Sequence, residues 1–454
     1  MTGRGGQVAR PNVVLVYMDD MTHWSLRSDQ VHTPHLDRLR RRGTTFTHAF
    51  NQGSLEPAVC VPARRMLLTG LTLFDATPRF GEVQRLGAAL SEAGYDTFFT
   101  GKWHNEPEAL PQDYETVGPW AGGMLGTLDG EDEAYGRPRR DDRWDPADDA
   151  RGGHWMTLPD GRVQHSSQRW TEAALSHLAG MDGTRPVFLH VAYHAPHDPR
   201  QAPREFLERY PLEEVAVPPN ALPRHPFDNG VLDIRDELLA PHPRTADAVR
   251  LHRREYFAML THVDEQIGRL LDEVDRLEAE GRPTYVVFSG DHGLALGEHG
   301  LLGKQNVYDH STRVPLVVAG PSVPAGAVRD APVYSGSIYA TVCDLVRVEP
   351  PSHLHFPSLA AALSDDGAQD GAGRGGDQDI FTAYGPDQRS LRRGRWKLIR
   401  YAEAQHDQLF DVDADPWETR NLIAHADLAG VVDELAGALT REQRRLGDPA
   451  LASG

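Results

Sequence analysis

Four pairs of residues that can bind a metal ion or an anion follow short apolar runs in this chain. The pairs are Asp19 and Asp20, Lys102 and His104, His194 and His197, and Asp291 and His292. Two adjacent carboxylates repel each other, and a divalent cation is the natural way to keep both ionised near a protein interior. A lone Asp-Asp pair more often belongs to an acidic loop or a helix N-terminus. The metal-site interpretation of the first pair therefore depends on the other three pairs.

Cys60 is the first residue of a segment with a helical pattern. The chain has only two cysteines, so a disulfide framework does not explain its position. It opens the segment CVPARRMLLTG, which predicts a helix with Pro62 in its first turn. A group at this place lies at the positive end of the helix dipole, where developing negative charge is stabilised. Arg64 lies one turn further along the same face. The alternative is a buried free cysteine next to a capping proline.

Parallel β-strands would bring these residues together. Continuous apolar runs, typical of buried parallel strands, occur at 13–17, 97–100, 187–192, 285–289 and 316–319. Helical patterns occur at 33–42, 171–179 and 251–280. This alternation predicts an α/β fold with a large, mainly parallel sheet sandwiched by helices. Ligands in such sheets collect outside the carboxyl ends of the strands, so the four pairs predict one site for a metal ion and an anion.

A second, smaller unit is predicted at the C-terminal end. Residues 364–379 are rich in Gly, Asp and Gln, which is typical of a flexible linker or loop. Strand patterns at 379–384 and 396–401 and an amphipathic helix at 428–447 follow. We therefore expect a large α/β domain at 1–363 and a C-terminal α+β subdomain at 380–454.

The overall charge limits the partners of the chain. With 47 Lys and Arg against 66 Asp and Glu, the net charge is −19, which disfavours nucleic acid and anionic membranes as partners. No apolar run approaches the ~20 residues that span a bilayer, and the N-terminal segment lacks the apolar region of a signal peptide. These features predict a cytoplasmic protein, and an anionic substrate would need a local cationic site.

Five motifs of the chain resemble those of type I sulfatases, which belong to the alkaline-phosphatase-like superfamily. They are PNVVLVYMDD, CVPAR followed by LLTG, GKWH, APHDP and SGDHGLALGEHGLLGK, in the order that the family has them. In that family, Cys-x-Pro-x-Arg is the signal by which the cysteine is oxidised to formylglycine. Ala63 replaces the most common serine of this signal. The stretch 33–39 and several stretches between 395 and 422 extend the resemblance to nearly the whole chain.

The resemblance implies a metal site and a maturation step. Asp19, Asp20, Asp291 and His292 would bind one divalent cation, with the matured side chain of Cys60 as a further ligand. The family usually uses calcium. Many relatives have asparagine where His292 stands, so manganese or another softer ion is also compatible with this set. A formylglycine-generating maturation enzyme would be a transient partner.

The resemblance also implies a role for each remaining residue. A hydroxyl of the formylglycine hydrate would attack sulfur, with Asp291 accepting its proton and Arg64 holding the diol. His197 would protonate the departing alcohol, and His104 would be the base that helps to expel sulfate. Lys102 and Lys304 would neutralise the sulfate oxygens. His194 and His299 are interpreted as ordinary histidines among 22.

Three functions remain open on the sequence. The first is a sulfuric ester hydrolase that uses formylglycine and calcium. The second is a phosphodiesterase or phosphonate monoester hydrolase of the same superfamily, although such relatives typically lack the Lys-x-His of GKWH. The third is a binding protein whose cysteine is never matured.

The substrate is predicted only weakly. The loops 105–170, 198–250 and 305–311 should select among aryl, choline and carbohydrate sulfates. Tyr308, Asp309, His310 and Trp144 are candidates within or near them. The residues after Lys304 resemble those of relatives that act on sugar sulfates, which favours a small-molecule or glycan sulfate ester of carbohydrate type.

Overall fold

A computed structural model of the protein describes residues 10–125, 136–138, 144–364 and 378–452. The strands are β1 Asn12–Met18, β2 Gly43–Phe50, β3 Gly53–Ser54, β4 Asp96–Lys102, β5 Thr116–Ala121, β6 Trp155–Thr157, β7 Val163–His165, β8 Val187–Tyr193, β9 Thr284–Gly290, β10 Arg313–Ala319, β11 Ala327–Arg329, β12 Val333–Tyr334, β13 Ile380–Tyr384, β14 Gln388–Arg393, β15 Trp396–Tyr401 and β16 His406–Asp411. Helices of seven or more residues in these ranges are α1 Pro34–Arg42, α2 Cys60–Thr69, α3 Leu86–Glu92, α4 Ser166–Ala179, α5 Ala246–Ala279, α6 Ile338–Val346 and α7 Ala429–Leu446. None of the helices in the described ranges is long and apolar enough to cross a membrane.

The main sheet has the strand order β11-β2-β10-β9-β1-β8-β4-β5, and β12 also pairs with β2. The central strand β1 pairs in parallel with both neighbours, so that Val13 lies opposite Phe188 of β8 and Tyr285 of β9. β4 continues the parallel pairing with β8 and β5. The prediction of a large, mainly parallel sheet is confirmed. The predicted strand 316–319 belongs to β10, which runs antiparallel to β9 and β2.

Helices cover both faces of this sheet, because alternate residues of its strands are apolar on each side. On β1, Val14, Val16 and Met18 belong to one buried cluster, while Val13, Leu15 and Tyr17 belong to another. The first cluster includes residues of α1, α4 and α5, and the second includes residues of α2, α3 and α6. The result is the helix–sheet–helix sandwich that the sequence predicts.

A second sheet of five strands, in the order β16-β15-β14-β13-β3, forms the C-terminal part. Leu435 and Leu439 of α7 pack in its core together with Ala63 and Met66 of α2. β3 comes from the N-terminal region and pairs in parallel with β13, a connection that the sequence did not predict. The predicted linker 364–379 lies almost entirely outside the described residues, so the domain boundary at 363 stays a prediction.

Candidate metal and anion site

The site lies at the carboxyl ends of four neighbouring parallel strands. β9, β1, β8 and β4 are adjacent in the sheet. Each is followed or ended by one of the four polar pairs: Asp291 and His292 follow β9, Asp19 and Asp20 follow β1, His194 and His197 follow β8, and Lys102 ends β4 with His104 after it. Because parallel strands end at the same edge, residues far apart in sequence meet there.

Three carboxylates and one imidazole form the centre of the site. Asp19, Asp20, Asp291 and His292 are each no more than 1% exposed. His292 Nδ1 lies 3.2 Å from Asp20 Oδ1, and His292 Nε2 lies 3.6 Å from Asp291 Oδ1 and 4.0 Å from Asp19 Oδ1. The Asp20 backbone N–H donates to Asp291 Oδ1 at 3.2 Å. Asp20 has a φ of 62°, a left-handed conformation that is costly outside glycine and concentrates at functional sites.

Burial separates the protonation of these carboxyl groups. Burial raises the pKa of Asp291 well above its usual value, and the neighbouring Asp19 carboxylate raises it further. Burial acts in the same direction on Asp19, but Lys102 and other nearby cations hold the pKa of Asp19 well below its usual value. A site of this kind keeps all three carboxylates ionised only if it gains positive charge.

The unpartnered atoms of the centre fit a cation. Asp19 Oδ1, Asp291 Oδ2 and His292 Nε2 are buried and make no hydrogen bond, although Asp291 Oδ2 lies at an ion-pair distance of 3.1 Å from Arg64 Nη2. Ligand atoms of Asp19, Cys60 and His292 all lie within 4.8 Å of one another. Unpaired buried polar atoms are costly, and carboxylate oxygens with one imidazole nitrogen are suitable ligands for a divalent cation.

Two buried lysines pair with two of the carboxylates. Lys102 Nζ makes a very short ion pair with Asp19 Oδ2, and Lys304 Nζ lies 2.9 Å from Asp20 Oδ1. Burial acts to lower the pKa of Lys304, but Asp20 and other nearby acidic groups hold it well above its usual value. These lysines therefore bring positive charge to the predicted anion site, though their present partners are carboxylates.

Cys60 is the first residue of α2 and is 2% exposed. Its Sγ lies 3.0 Å from His104 Nδ1, at hydrogen-bond distance. Burial acts to raise the pKa of the Cys60 thiol, but Lys102 reverses the effect and lowers it. Burial and Lys102 together lower the pKa of His104 to about 3, so burial disfavours the charged form of this ring.

Arg64 is fixed one turn along α2. Its Nη1 donates to the Lys102 backbone oxygen at 2.9 Å, and its Nη2 lies 3.1 Å from Asp291 Oδ2. The guanidinium also stands over the ring of Tyr17, with 5.3 Å between Cζ and the ring centroid. Arg64 thus links the first turns of α2, which begins at Cys60, to the Asp291 carboxylate.

His197 approaches the same centre from the loop after β8. Its Nδ1 donates to the Asp198 backbone oxygen at 2.6 Å, and its Nε2 lies 3.9 Å from Asp20 Oδ2. The structure thus brings together all ten residues that the sequence assigned to the site.

A cavity of about 410 Å³ opens onto these residues. Among the described residues, its lining combines the candidate catalytic groups Cys60, His104, His197 and Lys304 with Pro57, Ala58, Gly123, Met124, Ile234, Arg235, Asp236 and Gln305. The second group comes from the segment before Cys60 and from the three predicted specificity loops. The sequence pointed to those loops by their place after the site motifs, and to Gln305 by the resemblance of the residues after Lys304 to relatives that act on sugar sulfates, but Arg235 and Asp236 carried no signal of their own.

The other named candidates lie elsewhere. His194 Nε2 donates to the Gly122 backbone oxygen, and its ring packs on Trp170. His299 stacks on Tyr308. Asp309 and His310 line a different cavity beside Trp417 and Glu418. Trp144 packs beside Arg137 and Arg151. The prediction that these loop residues select the substrate receives no support from their positions.

Comparison with known families gives two matches. The family model Sulfatase matches residues 11–348, and the model for the C-terminal region of N-sulphoglucosamine sulphohydrolase matches residues 297–445. A sulfatase of Formosa agariphila is 27% identical over 91% of this chain and 83% of its own length. The choline-sulfatase of Rhizobium meliloti is 27% identical over 96% of this chain and 86% of its own length. Human iduronate 2-sulfatase is 30% identical over 68% of this chain and 60% of its own length.

Solved structures share the fold. One, of a protein in complex with its substrate D-glucosamine-2-N,6-O-disulfate, has a TM-score of 0.74 and 22% identity, and the match covers 97% of this chain and 99% of that chain. The phosphonate monoester hydrolase of Agrobacterium radiobacter has a TM-score of 0.71 and 22% identity, covering 98% of this chain and 97% of that chain. At these identities the likeness concerns the architecture alone.

Proposed function

The chain belongs to the sulfatase family of the alkaline-phosphatase-like superfamily, and from this premise we propose how it works as a sulfuric ester hydrolase. It would hydrolyse a sulfate ester to an alcohol and inorganic sulfate, with Cys60 matured to formylglycine. The observation that carries the proposal is the position of Cys60. Its Sγ lies 3.0 Å from His104 Nδ1 and within 4.8 Å of ligand atoms of Asp19 and His292.

The proposed cation would be held by Asp19, Asp20, Asp291 and His292. Three carboxylates favour calcium, and the imidazole nitrogen also suits manganese. A divalent cation held there would act as a Lewis acid toward the ester and toward the matured side chain of residue 60, whose hydroxyl would be the nucleophile toward sulfur.

The residues of the chain then move protons and hold charge. Asp291 would accept a proton from the group on residue 60, and Arg64 holds its carboxylate in place. His104 can accept a proton at Nδ1 from the group on residue 60. His197 can give a proton from Nε2 to the leaving oxygen. Lys102 and Lys304 supply buried positive charge for an anionic ester in a chain of net charge −19.

The described lining of the cavity disfavours one class of leaving group. No aromatic ring other than histidine is present among its described lining residues, whereas quaternary ammonium groups such as choline are usually held by aromatic rings. Arg235, Asp236 and Gln305 are polar members of the lining, bonded to one another and to Asp198 and Pro57. A volume of about 410 Å³ lies in the lower part of the range for small-molecule sites. We therefore propose a carbohydrate or similar small organic sulfate.

Two measurements test the proposal: whether Cys60 is converted to formylglycine, and whether the protein releases sulfate. The full chain, co-expressed with a formylglycine-generating enzyme, should show formylglycine by mass spectrometry of the peptide containing Cys60. Tested on a panel of glycan, aryl and choline sulfates, it should also release inorganic sulfate, chiefly from the glycan sulfates, and Cys60→Ala should abolish this release. Full activity of Cys60→Ala would refute the proposal, and an unmodified thiol without activity would support a binding protein.

A phosphonate monoester hydrolase is the second candidate, since two solved structures with that printed name share the fold, at TM-scores of 0.71 and 0.74. The presence of Lys102 beside the centre, paired with Asp19, favours the sulfatase. The two functions separate in an assay that compares phenyl sulfate with phenyl phenylphosphonate at equal concentration.

A further inference from the structure

A second cavity of about 410 Å³ lies between the main body and the C-terminal part of the chain. Its described lining comes from the segment 23–30 after β1, from α5, from the segment 309–313 that leads into β10 and from the segment 416–418 after β16. None of these described residues also lines the catalytic cavity, to which Cys60 and His197 belong. The second cavity is therefore a separate feature of the molecule.

The buried acids of this lining are already paired with cations of the protein. Glu298 Oε1 lies 3.5 Å from Arg253 Nη1. Lys397 Nζ lies 2.7 Å from Asp309 Oδ1 and 2.7 Å from Glu418 Oε1. A charged ligand would meet its opposite charge already neutralised and a like charge beside it, and burying such a ligand would be costly. The cavity therefore favours a neutral ligand.

Neutral polar groups of the same lining lack partners. Asn220 Oδ1, His310 Nε2 and Trp24 Nε1 are buried and make no hydrogen bond, and the same holds for Gln30 Oε1 and His23 Nδ1. Asn220 and His310 are only 7% and 5% exposed. An amide oxygen accepts, an indole N–H donates, and the second nitrogen of a neutral imidazole does either. Unpaired buried polar atoms are costly, so this mixture suits a ligand whose groups both donate and accept, as hydroxyls do.

Two indole side chains distinguish this cavity from the catalytic one. Trp24 and Trp417 belong to its described lining, whereas the described lining of the catalytic cavity contains no aromatic ring other than histidine. An indole combines a large apolar face with one polar N–H, which matches a sugar ring with its apolar face and its hydroxyls. Indoles also hold quaternary ammonium groups, but the Arg253 guanidinium already lies over the Trp24 ring, 4.7 Å from its centroid. A cationic ligand is therefore disfavoured.

We propose that this cavity is a second binding site, which takes a neutral sugar unit and is separate from the site of ester hydrolysis. The sugar hydroxyls would bond to the unpartnered atoms of Asn220, His310 and Trp24, and one face of the sugar ring would pack on Trp417. A volume of about 410 Å³ is far above the roughly 30 Å³ of one water molecule and lies in the range for small-molecule sites. The inference goes beyond the proposed function, because sugar binding here requires neither Cys60 nor a metal ion.

Saturation-transfer NMR on the full chain tests this site. The probes are methyl glucoside, methyl galactoside, methyl mannoside and N-acetylglucosamine, each titrated through the millimolar range. We expect at least one of these sugars to bind, and Trp417→Ala to weaken its binding by about tenfold, because the apolar face for the sugar ring is lost. Gln30→Ala removes a single hydrogen-bond acceptor and should weaken binding by about threefold.

Two control variants locate the bound sugar. Trp396→Ala removes another half-buried indole of the C-terminal part, from β15 and outside the described lining, and should leave sugar binding unchanged. Met124→Ala changes the lining of the catalytic cavity at a residue that is 43% exposed, and it should also leave sugar binding unchanged. Thermal unfolding checks that each variant is folded. If Trp417→Ala does not fold, the half-buried Gln30 still decides the question.

The outcomes separate this inference from the proposed function. Absence of saturation transfer to all of these sugars would overturn the second site. Binding that Met124→Ala weakens and Trp417→Ala or Gln30→Ala does not would assign the sugar to the catalytic cavity, which also overturns it. Choline or glucuronate bound more tightly than every neutral sugar would do the same, since the charges of the lining would then be available. Sulfate release by the matured wild type is measured separately, so it can fail while the second site stands, or succeed while the second site fails.

Discussion

Two buried clusters of charged residues in this protein differ in how fully they are paired. The metal-site cluster contains Asp19, Asp20, Asp291 and His292. The ion-pair cluster contains Lys397, Asp309, Glu418, Arg313 and Arg392, near the contact between the second sheet and the main body. In the ion-pair cluster, Lys397 Nζ lies 2.7 Å from Asp309 Oδ1 and 2.7 Å from Glu418 Oε1. The remaining oxygens of these two acids also have partners, because Asp309 Oδ2 lies 3.7 Å from Arg313 and Glu418 Oε2 accepts from the Asp309 backbone N–H.

The metal-site cluster leaves ligand atoms unpaired in equally deep burial. Asp19 Oδ1 and His292 Nε2 make no hydrogen bond. Glu418 Oε1 and Arg392 Nη1 of the ion-pair cluster also make none, but each faces a permanent opposite charge, Lys397 Nζ at 2.7 Å and Asp309 Oδ2 at 3.8 Å. A buried ionic cluster in which each charged group is paired with an opposite charge of the protein needs no bound ligand to explain it. A buried cluster that leaves charged or polar atoms without a partner is better explained by an ion or ligand that binds to those atoms.

The largest expected effect comes from Asp291→Asn in the metal-site cluster. Loss of this ligand should lower sulfate release by about 1000-fold, since a bound cation supplies several kcal/mol of transition-state stabilisation. Without added cation, the variant should unfold at a temperature equal to or above that of wild type, because it removes a carboxylate that burial destabilises. Sulfate-release assays check the loss of activity, and thermal unfolding in EDTA checks the stability. A strongly lowered unfolding temperature of Asp291→Asn in EDTA would contradict the idea that the metal-site cluster is unpaired without its cation.

Lys397→Met should lower the stability of the protein without changing its response to a metal ion, which is the reverse of what we expect for Asp291→Asn. It leaves Asp309 and Glu418 buried without their shared cation, so the free energy of unfolding should fall by about 3–5 kcal/mol. The shift in unfolding temperature on adding calcium should stay that of wild type. Arg395→Met is the matched control, because the Arg395–Asp411 pair is half exposed on the arginine side and such pairs are worth about 0–1 kcal/mol.

Chelation should distinguish the clusters without mutation. Calcium or manganese at about 100 times its dissociation constant should stabilise the wild type by about 2.7 kcal/mol relative to EDTA. Asp291→Asn should lose most of this gain, and Arg395→Met should keep it. Denaturant unfolding with and without each ion measures the difference, and no stabilisation by any divalent ion would argue against a metal site.

The smallest expected effect is a pH dependence from Glu418. Burial raises the pKa of Glu418 to about 7, although Lys397 acts to lower it. A carboxyl whose pKa is raised on folding contributes stability below its ordinary pKa and loses it as the pH rises through about 7. The free energy of unfolding should therefore fall less steeply between pH 5 and pH 8 in Glu418→Gln than in wild type. If the free energy of unfolding fell more steeply with pH in Glu418→Gln than in wild type, folding would lower the pKa of Glu418 rather than raise it.

Local patterns predicted much of this fold. The strands that became β1, β4, β8 and β9 were recognisable as continuous apolar runs, and their polar pairs predicted one shared site at a sheet edge. The helices α1 and α5 were likewise visible from their periodicity. β2 and β3 were missed because Gly43–Phe50 is rich in threonine and Gly53–Ser54 is only two residues long, so neither carries a periodic signal.

The sequence by itself determined which residues could do chemistry and at which strand ends they would stand, because both depend on neighbours within a few positions. Only the tertiary structure decided how they pair. The ion pairs of Lys102 and Lys304 with Asp19 and Asp20, the entry of Arg235 into the cavity, and the turning of Asp309 toward Lys397 join residues separated by 37 to 284 positions. Such contacts depend on the packing of whole elements and the removal of water between them, which no local pattern records.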